Sequence, residues 1–216
     1  MICLFFDTAS EKLKVSLLKD NNLIYDKEII TKNDHSSYLL PYIDEAFKTN
    51  NIDFKELDRI IVGVGPGSFT GTRIGVTVAK IYGYSFNIPT YGISSLEMMI
   101  YDYDNYDYYV PVIEDKNDKL YFGIYDKNKK RLIEDSYTNI DELYNILNSY
   151  KGNILIISHK GIDYDKYDSK KEIINSKEIC KNILNNNQEI NPHLLKPNYI
   201  KKIEAESKLW LRKTII

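Results

Sequence analysis

The chain has 216 residues, of which 29 are basic and 31 acidic, so its formal net charge is −2. This balance argues against a stand-alone nucleic-acid binder, because phosphate affinity rests on clustered Lys and Arg. Its 43% hydrophobic and 28% charged content is ordinary for a soluble globular protein with one core or two small ones.

The two cysteines, Cys3 and Cys180, form no C-x-x-C pair, so we expect no structural zinc site and no other bound metal. The apolar start of the chain is too short for a signal peptide and lacks a basic region. No run reaches the roughly 18 apolar residues that a membrane span needs. We therefore expect a cytoplasmic protein without membrane contact.

The first half of the chain has the pattern of a three-stranded meander followed by alternating helices and strands. The helix near Ser36 shows apolar residues at positions i, i+3, i+4 and i+7, which marks one buried face. The strands are predicted at 2–6, 14–18, 23–30, 60–64 and 91–93, and the helices at 36–49, 70–84 and 96–101.

Asp7 ends the first strand and is followed by Thr8-Ala9-Ser10. Actin-like and sugar-kinase folds hold metal and phosphate with a carboxylate and a hydroxyl-rich turn at this place. Their turn usually contains glycine where this chain has Ala9, so we favour an Asx-turn that caps the strand end. His35 starts the next helix, and the residue one turn later, Leu39, cannot bind a metal. His35 is therefore predicted to be a cap or an interface residue.

A glycine-rich turn links a buried strand to a helix, and it reads Gly65-Pro66-Gly67-Ser68-Phe69-Thr70-Gly71-Thr72-Arg73-Ile74-Gly75. Gly65 and Gly67 can adopt positive φ, and backbone N–H groups at a helix N-terminus favour an anion. The spacing matches neither the Rossmann fingerprint nor the P-loop. Gly65, Gly67 and Ser68 are therefore weak candidates for phosphate binding, and a purely structural turn is the commoner case.

Small residues recur every four positions along the following helix, at Gly71, Gly75, Ala79 and Gly83. Residues four apart share a helix face, and a face of small side chains allows another element to approach closely. Glycine costs up to ~1 kcal/mol in a helix interior, so three of them need a compensating contact. The stripe fits packing on the chain's own lobe and a seam for a partner helix equally well.

The second half repeats the order of the first in a shorter form. Strands are predicted at 110–113, 120–125, 131–138 and 153–157, and helices at 139–149 and 176–185. We therefore predict an α/β protein with an actin-like (ribonuclease H-like) fold of duplicated β-β-β-α-β-α lobes, the second abbreviated. The first lobe, with the interface helices, would span residues 1–100, and the second, with a C-terminal tail, residues 108–216.

A nucleotide site between such lobes requires a second phosphate loop. The candidate is Ser158-His159-Lys160-Gly161, which has one glycine beside two bulky side chains. It is a poor phosphate cradle, so half of a nucleotide site is expected to be missing.

The segment from Gly65 to Gly75 resembles the GPGSFTG-x-RIG signature of the TsaB (YeaZ-like) family. Weaker likenesses follow in order: Asp7-Thr8-Ala9-Ser10 to D-T-[AS]-[TS], His35 with Leu40-Pro41 to H-x-x-x-x-L-P, and Pro197-Asn198-Tyr199-Ile200-Lys201 to P-x-Y-[LI]-R. The segment 114–121 departs from the family's D-A-R-x-x-E-x-Y and keeps only Tyr121 and the charge at Lys116, so the role of that motif stays open.

The resemblance implies a non-catalytic scaffold subunit, without a cofactor, that supports TsaD in forming threonylcarbamoyladenosine at position 37 of tRNAs reading codons that start with A. It implies a TsaD heterodimer, a homodimer when alone, a complex with the ATPase TsaE, and only indirect contact with tRNA. The first-lobe helices would form the interface, through His35, Leu39, Tyr42, Ile43, Ala46, Gly71, Thr72, Gly75, Val76, Ala79 and Gly83.

Two other functions stay open. An autonomous phosphotransferase or hydrolase would use Asp7 for metal and the Gly65–Gly71 turn for phosphate. A metallopeptidase would resemble TsaD, whose H-x-x-x-H motif is broken here at Leu39. The sequence also leaves open whether the basic tail touches tRNA, through Lys196, Lys201, Lys202, Lys208, Arg212 and Lys213.

Overall fold

The computed structural model describes residues 1–31, 34–186 and 189–200. Five basic residues of the predicted C-terminal features lie outside the described residues: Lys201, Lys202, Lys208, Arg212 and Lys213. The described chain forms two five-stranded sheets with their helices, and the two lobes meet through a shared hydrophobic core.

The first lobe follows the predicted order. Its elements are β1 (Ile2–Asp7), β2 (Lys12–Lys19), β3 (Asn22–Ile30), α1 (His35–Thr49), β4 (Arg59–Gly63), α2 (Phe69–Phe86), β5 (Thr90–Ile93) and α3 (Ser95–Met98). The sheet order is β3-β2-β1-β4-β5, with the meander antiparallel and β1, β4 and β5 parallel. The parallel strands place the ends of β1 and β4 at one edge, beside the glycine turn.

The second lobe contains β6 (Tyr108–Glu114), β7 (Lys119–Asp126), β8 (Arg131–Asn139), α4 (Ile140–Leu147), β9 (Ile154–Ser158), β10 (Asp168–Lys171) and α5 (Ser176–Asn186). Its sheet order, β8-β7-β6-β9-β10, repeats that of the first lobe strand for strand, with the same parallel and antiparallel pairs. This repeat confirms the predicted duplicated actin-like α/β fold.

The second lobe is shorter because the connection from β9 to β10 is a loop, residues 159–167, where the first lobe has the long helix α2. The sequence did not predict β10. Its residues, Asp-Ser-Lys-Lys, carry no apolar alternation, because this edge strand is mostly exposed and only pairs with β9 through its backbone.

Helix α2 is two residues longer at its C-terminal end than predicted. Ser68 caps its start, since the Ser68 hydroxyl accepts a hydrogen bond from the Gly71 N–H at 3.2 Å. Asn87 ends it in the left-handed conformation and donates to the Gly83 carbonyl. None of the described helices is long and apolar enough to cross a bilayer.

Both lobes contribute to the core at their junction. There Cys3 of β1 and Cys180 of α5 are buried with their Sγ atoms 3.9 Å apart and no disulfide between them. A polar contact reinforces the junction: Asp135 of β8 accepts hydrogen bonds from Ser94 Oγ at 2.6 Å and from Asn198 Nδ2 at 2.8 Å. One carboxylate therefore connects the second lobe to the first lobe and to the last described residues.

Residues 189–200 form a C-terminal strap that packs on the first lobe. Ile190 pairs with Thr90 of β5, and the Asn198 N–H donates to the Val64 carbonyl at 2.7 Å. The strap was assigned from sequence to the unit 108–216. We keep the division into 1–100 and 108–216 as a proposal for the two lobes, with the strap as a return of the chain to the first.

Candidate functional site

Asp7 lies at the end of β1, between the lobes, and its side chain is buried. Its Oδ1 accepts a hydrogen bond from the Ala9 N–H at 3.2 Å, which is the Asx-turn favoured from sequence. Burial raises the pKa of Asp7 to about 7. Among the described residues, no group of three or more His, Cys, Asp or Glu side chains is placed to hold a metal ion.

The glycine turn before α2 is closed by the turn that follows β1. The Ser68 N–H donates to the Ala9 carbonyl at 2.6 Å, and a Cβ on Gly67 would overlap that same carbonyl. Gly65 has a φ of +89°, which explains the glycine there. The Ser68 amide that would face a phosphate is therefore already bonded to the protein.

The backbone N–H groups of the second-lobe turn, Ser158 to Gly161, are also hydrogen-bonded within the protein. The His159 N–H donates to the Val112 carbonyl at 3.0 Å, and the Lys160 N–H donates to Glu114 Oε2 at 3.1 Å. The Gly161 N–H donates back to the Ser158 carbonyl at 3.3 Å. Three successive amides are thus used within the lobe, as the poor match to a phosphate loop suggested.

An ionic cluster spans the lobes beside Asp7. Glu172 accepts from Lys12 Nζ of the first lobe at 3.2 Å and pairs with His159 Nδ1 at 2.7 Å. Burial opposes protonation of His159, but the hydrogen bond and charge of Glu172 outweigh it and raise the pKa of His159. A cavity of about 20 Å³ lies between these groups and Ser95, which is room for about one water molecule.

The small-residue stripe of α2 faces the interior of its own lobe. A Cβ on Gly71 would overlap the Thr8 carbonyl, and one on Gly75 would lie 2.5 Å from Thr8 Oγ1. Gly83 similarly packs against the Thr90 side chain. The spacing identified a close contact, and the structure shows that the contact is with the turn after β1 and the edge of β5.

The structure places most of the predicted interface residues inside the first lobe. Of the eleven, only Tyr42 is partly exposed; the ten that are buried inside the first lobe are His35, Leu39, Ile43, Ala46, Gly71, Thr72, Gly75, Val76, Ala79 and Gly83. Apolar spacing predicts which residues share a helix face, but the buried core takes that face first. His35 bonds Thr31 Oγ1 through Nδ1 at 2.9 Å, and burial lowers the pKa of His35. A partner would have to meet other side chains of the same helices.

Those other side chains form an apolar surface, which we call the outer helix face. Ile81 is 54% exposed and Phe86 51% exposed, and the aromatic ring of Phe54 supports the rings of Tyr82 and Phe86 at 4.8 and 5.0 Å. The outer helix face comprises Leu40 of α1 with Ile74, Val78, Ile81, Tyr82 and Phe86 of α2. The signal was present in the sequence, since Ile74, Val78, Tyr82 and Phe86 also recur every four residues.

Comparison with known proteins gives consistent results. Residues 28–183, more than half of the chain, match the family model described as TsaD, tRNA N6-adenosine threonylcarbamoyltransferase. The chain is 32% identical over 135 residues to a Bacillus subtilis protein named tRNA threonylcarbamoyladenosine biosynthesis protein TsaB, and 28% identical over 131 residues to the Haemophilus influenzae protein of the same name. These matches cover 62% and 59% of this chain but only 58% and 55% of the relatives.

Solved structures show the same fold. A Pseudomonas aeruginosa protein described as similar to peptidase YeaZ superposes with a TM-score of 0.78 at 16% identity, covering 93% of this chain and 99% of the other. YeaZ from the same organism gives a TM-score of 0.76, also at 16% identity, with 92% and 99% coverage. With the family model, the curated relatives and the repeated sheet topology in agreement, the chain belongs to the TsaB (YeaZ-like) family, which shares its family model with TsaD.

Proposed function

We propose that this chain is a non-catalytic subunit of tRNA threonylcarbamoyladenosine biosynthesis that docks TsaD through the outer helix face. The observation that carries the proposal is the apolar flank of α2, where Ile81 and Phe86 are each more than half exposed next to half-buried Val78 and Tyr82. Large apolar side chains grouped in this way are more often part of an association surface than of a surface that stays exposed to water.

Contacts at the junction between the lobes support the proposal that this chain has no catalytic activity of its own. The Ser68 amide is bonded to Ala9, the amides of the Ser158–Gly161 turn are bonded within the second lobe, and Glu172 occupies the space between Lys12 and His159. A nucleotide would have to displace these contacts, so binding would cost their free energy before any phosphate contact formed.

The proposed partners are TsaD, a second copy of this chain, TsaE and, indirectly, tRNA. TsaD and a second copy of this chain would compete for the outer helix face, because one apolar surface cannot be buried twice. TsaE would join the TsaD complex. The tRNA, modified at position 37 when its codon begins with A, would contact this chain only through the assembly. The assembly would act in the cytoplasm, and this chain would bind no cofactor.

The test is to change the exposed centre of the face. Ile81→Glu places a charge in the proposed interface and should weaken TsaD binding at least about 30-fold, which is the range of an interface hot spot. The matched control is Leu132→Glu on β8, where the wild-type side chain is 46% exposed and far along the chain from α2. Calorimetric titration of purified TsaD against each variant measures the difference, and urea unfolding confirms that both variants fold.

Two results would contradict the proposal. Equal TsaD affinity for wild type, Ile81→Glu and Leu132→Glu would remove the outer helix face as the docking surface. Binding and turnover of ATP with Mg²⁺ by the isolated chain would replace the scaffold role with the autonomous phosphotransferase or hydrolase.

A further inference from the structure

The two cysteines of the chain meet where the lobes join. Cys3 lies in β1, an inner strand of the first sheet, and Cys180 lies in α5, which follows β10 of the second lobe. They are 177 positions apart in the sequence, yet each is only 1% exposed and their Sγ atoms are 3.9 Å apart. The fold therefore brings one thiol from each lobe into direct contact.

The geometry of this pair is close to that of a disulfide. An S–S bond is about 2.0 Å long, so the two sulfur atoms have to approach by about 2 Å. Helix α5 packs directly against β1, so the backbones that carry the two thiols are neighbours. Each cysteine has one side-chain torsion with three staggered positions. We therefore expect side-chain rotation, with a small shift of α5, to be enough to form the bond.

The surroundings of the thiols favour a disulfide over a metal site. Structural zinc takes four ligands, mostly cysteine and histidine. In the part of the chain that the structure describes, no group of three or more His, Cys, Asp or Glu side chains is placed to hold a metal ion. The sequence contains two cysteines in total, so within one copy Cys3 has a single possible disulfide partner.

In the closed structure both thiols are protected. The hydrogen bond with the Cys3 thiol and burial raise the pKa of the Cys180 thiol. Since the thiolate is the reactive form, oxidation is slow while α5 stays packed on β1. A local opening that moves α5 away from β1 exposes both sulfur atoms to small oxidants together.

We propose that Cys3 and Cys180 form a reversible disulfide between the two lobes when the chain meets a peroxide. One thiolate attacks a peroxide oxygen, the O–O bond breaks, and a sulfenic acid and a water form. The second thiolate then attacks the sulfenic sulfur, the S–S bond forms, and a second water leaves. Two thiols are thus oxidised by two electrons, and one hydrogen peroxide is reduced to two waters.

The bond closes a loop that runs from residue 3 to residue 180. A crosslink between residues so far apart removes much of the freedom of the unfolded chain, and it keeps α5 on β1 in the folded one. The oxidised chain is then more resistant to unfolding, and a thiol reductant restores the original state. This site is independent of which partner occupies the outer helix face.

The test is to treat the purified full chain with hydrogen peroxide and then with dithiothreitol. Peptide mass spectrometry should find the Cys3 and Cys180 peptides joined, and the unfolding temperature should rise by about 10 °C. Dithiothreitol should reverse both changes, whereas methionine sulfoxide persists, so the reversible part reports on the cysteines. Cys180→Ala, compared with itself before and after treatment, should show no reversible shift.

Hydrogen exchange gives a second measurement. Oxidation should slow exchange in α5, residues 176–186, at least about tenfold, because the opening that separates α5 from β1 is blocked. Exchange in α4, residues 140–147 of the same lobe, should stay unchanged and serves as the matched helix.

Three results would overturn the proposal. One is the absence of a reversible bond by the time Met1, which is 40% exposed, is fully converted to the sulfoxide. Another is a disulfide that forms only between two copies, seen as a dimer on a non-reducing gel. The third is a Cys3–Cys180 bond that leaves exchange in α5 and the unfolding temperature unchanged.

Discussion

The two lobes share a sheet topology but treat the ends of their first strands in opposite ways. Asp7, at the end of β1, is buried with the Ala9 N–H as a donor and has its pKa raised to about 7. Glu114, at the end of β6, accepts from Ser158, Tyr164 and the Lys160 amide. One carboxyl group is costly to ionise, and the other is a structural hub of its lobe.

The turns after β4 and β9 also differ between the two lobes. The first is a glycine turn pressed against the turn after β1, and it leads into an 18-residue helix. The second is a compact turn that leads into a loop and an edge strand. The two lobes thus have equivalent sheets, and among the described residues only the first lobe carries the long helix α2, whose outer side is partly exposed.

The largest expected effect comes from the close contact below α2. Gly71→Ala should destabilise the protein by about 3 kcal/mol, because its Cβ overlaps the Thr8 backbone carbonyl, which cannot move without disturbing the end of β1. This loss outweighs the ~1 kcal/mol that alanine gains over glycine in a helix. Urea unfolding monitored by circular dichroism gives the value.

The second-lobe comparison is Gly161→Ala. That glycine has a φ of +75°, but its Cβ would meet only the flexible side chain of Lys171 at 3.2 Å, so a loss of about 1 kcal/mol is expected from the backbone alone. Thr77→Ala on the exposed side of α2 should change stability by less than about 0.5 kcal/mol. A Gly71 variant as mild as Thr77→Ala would show that the stripe is not a tight contact.

Asp7 should make the stability of the protein depend on pH. The folded state holds the Asp7 proton more tightly than the unfolded state, whose pKa is about 3.9, so wild-type stability falls as pH rises from about 4 to about 7. A pKa shift of this size lowers the free energy of unfolding by about 4 kcal/mol at high pH. An asparagine amide without a hydrogen-bond partner would cost about 2 kcal/mol in its place. Asp7→Asn should therefore be more stable than wild type by about 2 kcal/mol at pH 8.

At pH 4 the same variant should show no gain, because the folded-state carboxyl is then protonated and the unfolded one is about half protonated, so the raised pKa costs the wild type only about 0.5 kcal/mol. Denaturant titrations at the two pH values separate the outcomes. A variant that is equally destabilised at both would mean that Asp7 ionises freely in the folded protein.

In the second lobe, replacing Glu114 should lower the stability of the protein. Glu114→Gln should cost about 1.5 kcal/mol at neutral pH, because Oε1 accepts from Ser158 and Tyr164 and Oε2 accepts from the Lys160 N–H, so the new NH₂ group faces a donor in either orientation of the amide. The opposite signs expected for Asp7→Asn and Glu114→Gln make the contrast between the lobes directly measurable. Two changes of the same sign at pH 8 would remove it.

The smallest effect is expected at the cluster that joins the lobes. Glu172 raises the pKa of His159, so the stability that His159 contributes is fully present below about pH 6.5 and is lost as pH rises through the raised value. His159→Gln should cost about 1 kcal/mol at pH 6 and less at pH 9. Thermal unfolding at both pH values checks this, with His193→Gln on the strap, whose ring packs on Tyr84, as the matched histidine control.

The sequence predicted the order of elements well because each long element carries a strong local signal. The buried face of α1 is one example, because its apolar spacing predicts it and the structure shows it. β10 was missed because an exposed edge strand needs only backbone pairing with β9. Glu172 was missed because nothing near it in the chain reveals that Lys12 and His159 will lie beside it.

The candidate interface was harder to predict than the fold. Periodicity finds residues on one side of a helix, but it does not say whether that side meets the core or a partner. On α2 two four-residue repeats run in parallel, one of small and one of large apolar residues. The small repeat is the buried one because the turn after β1 leaves room only for hydrogen atoms at Gly71 and Gly75, whereas the large repeat is half-buried, with Phe86 exposed.

The carboxylate of Asp135 accepts hydrogen bonds from both Ser94 and Asn198, and so it links three parts of the chain. Moving the lobes apart would break these hydrogen bonds and expose the shared core, so the contacts stabilise one arrangement of the two lobes.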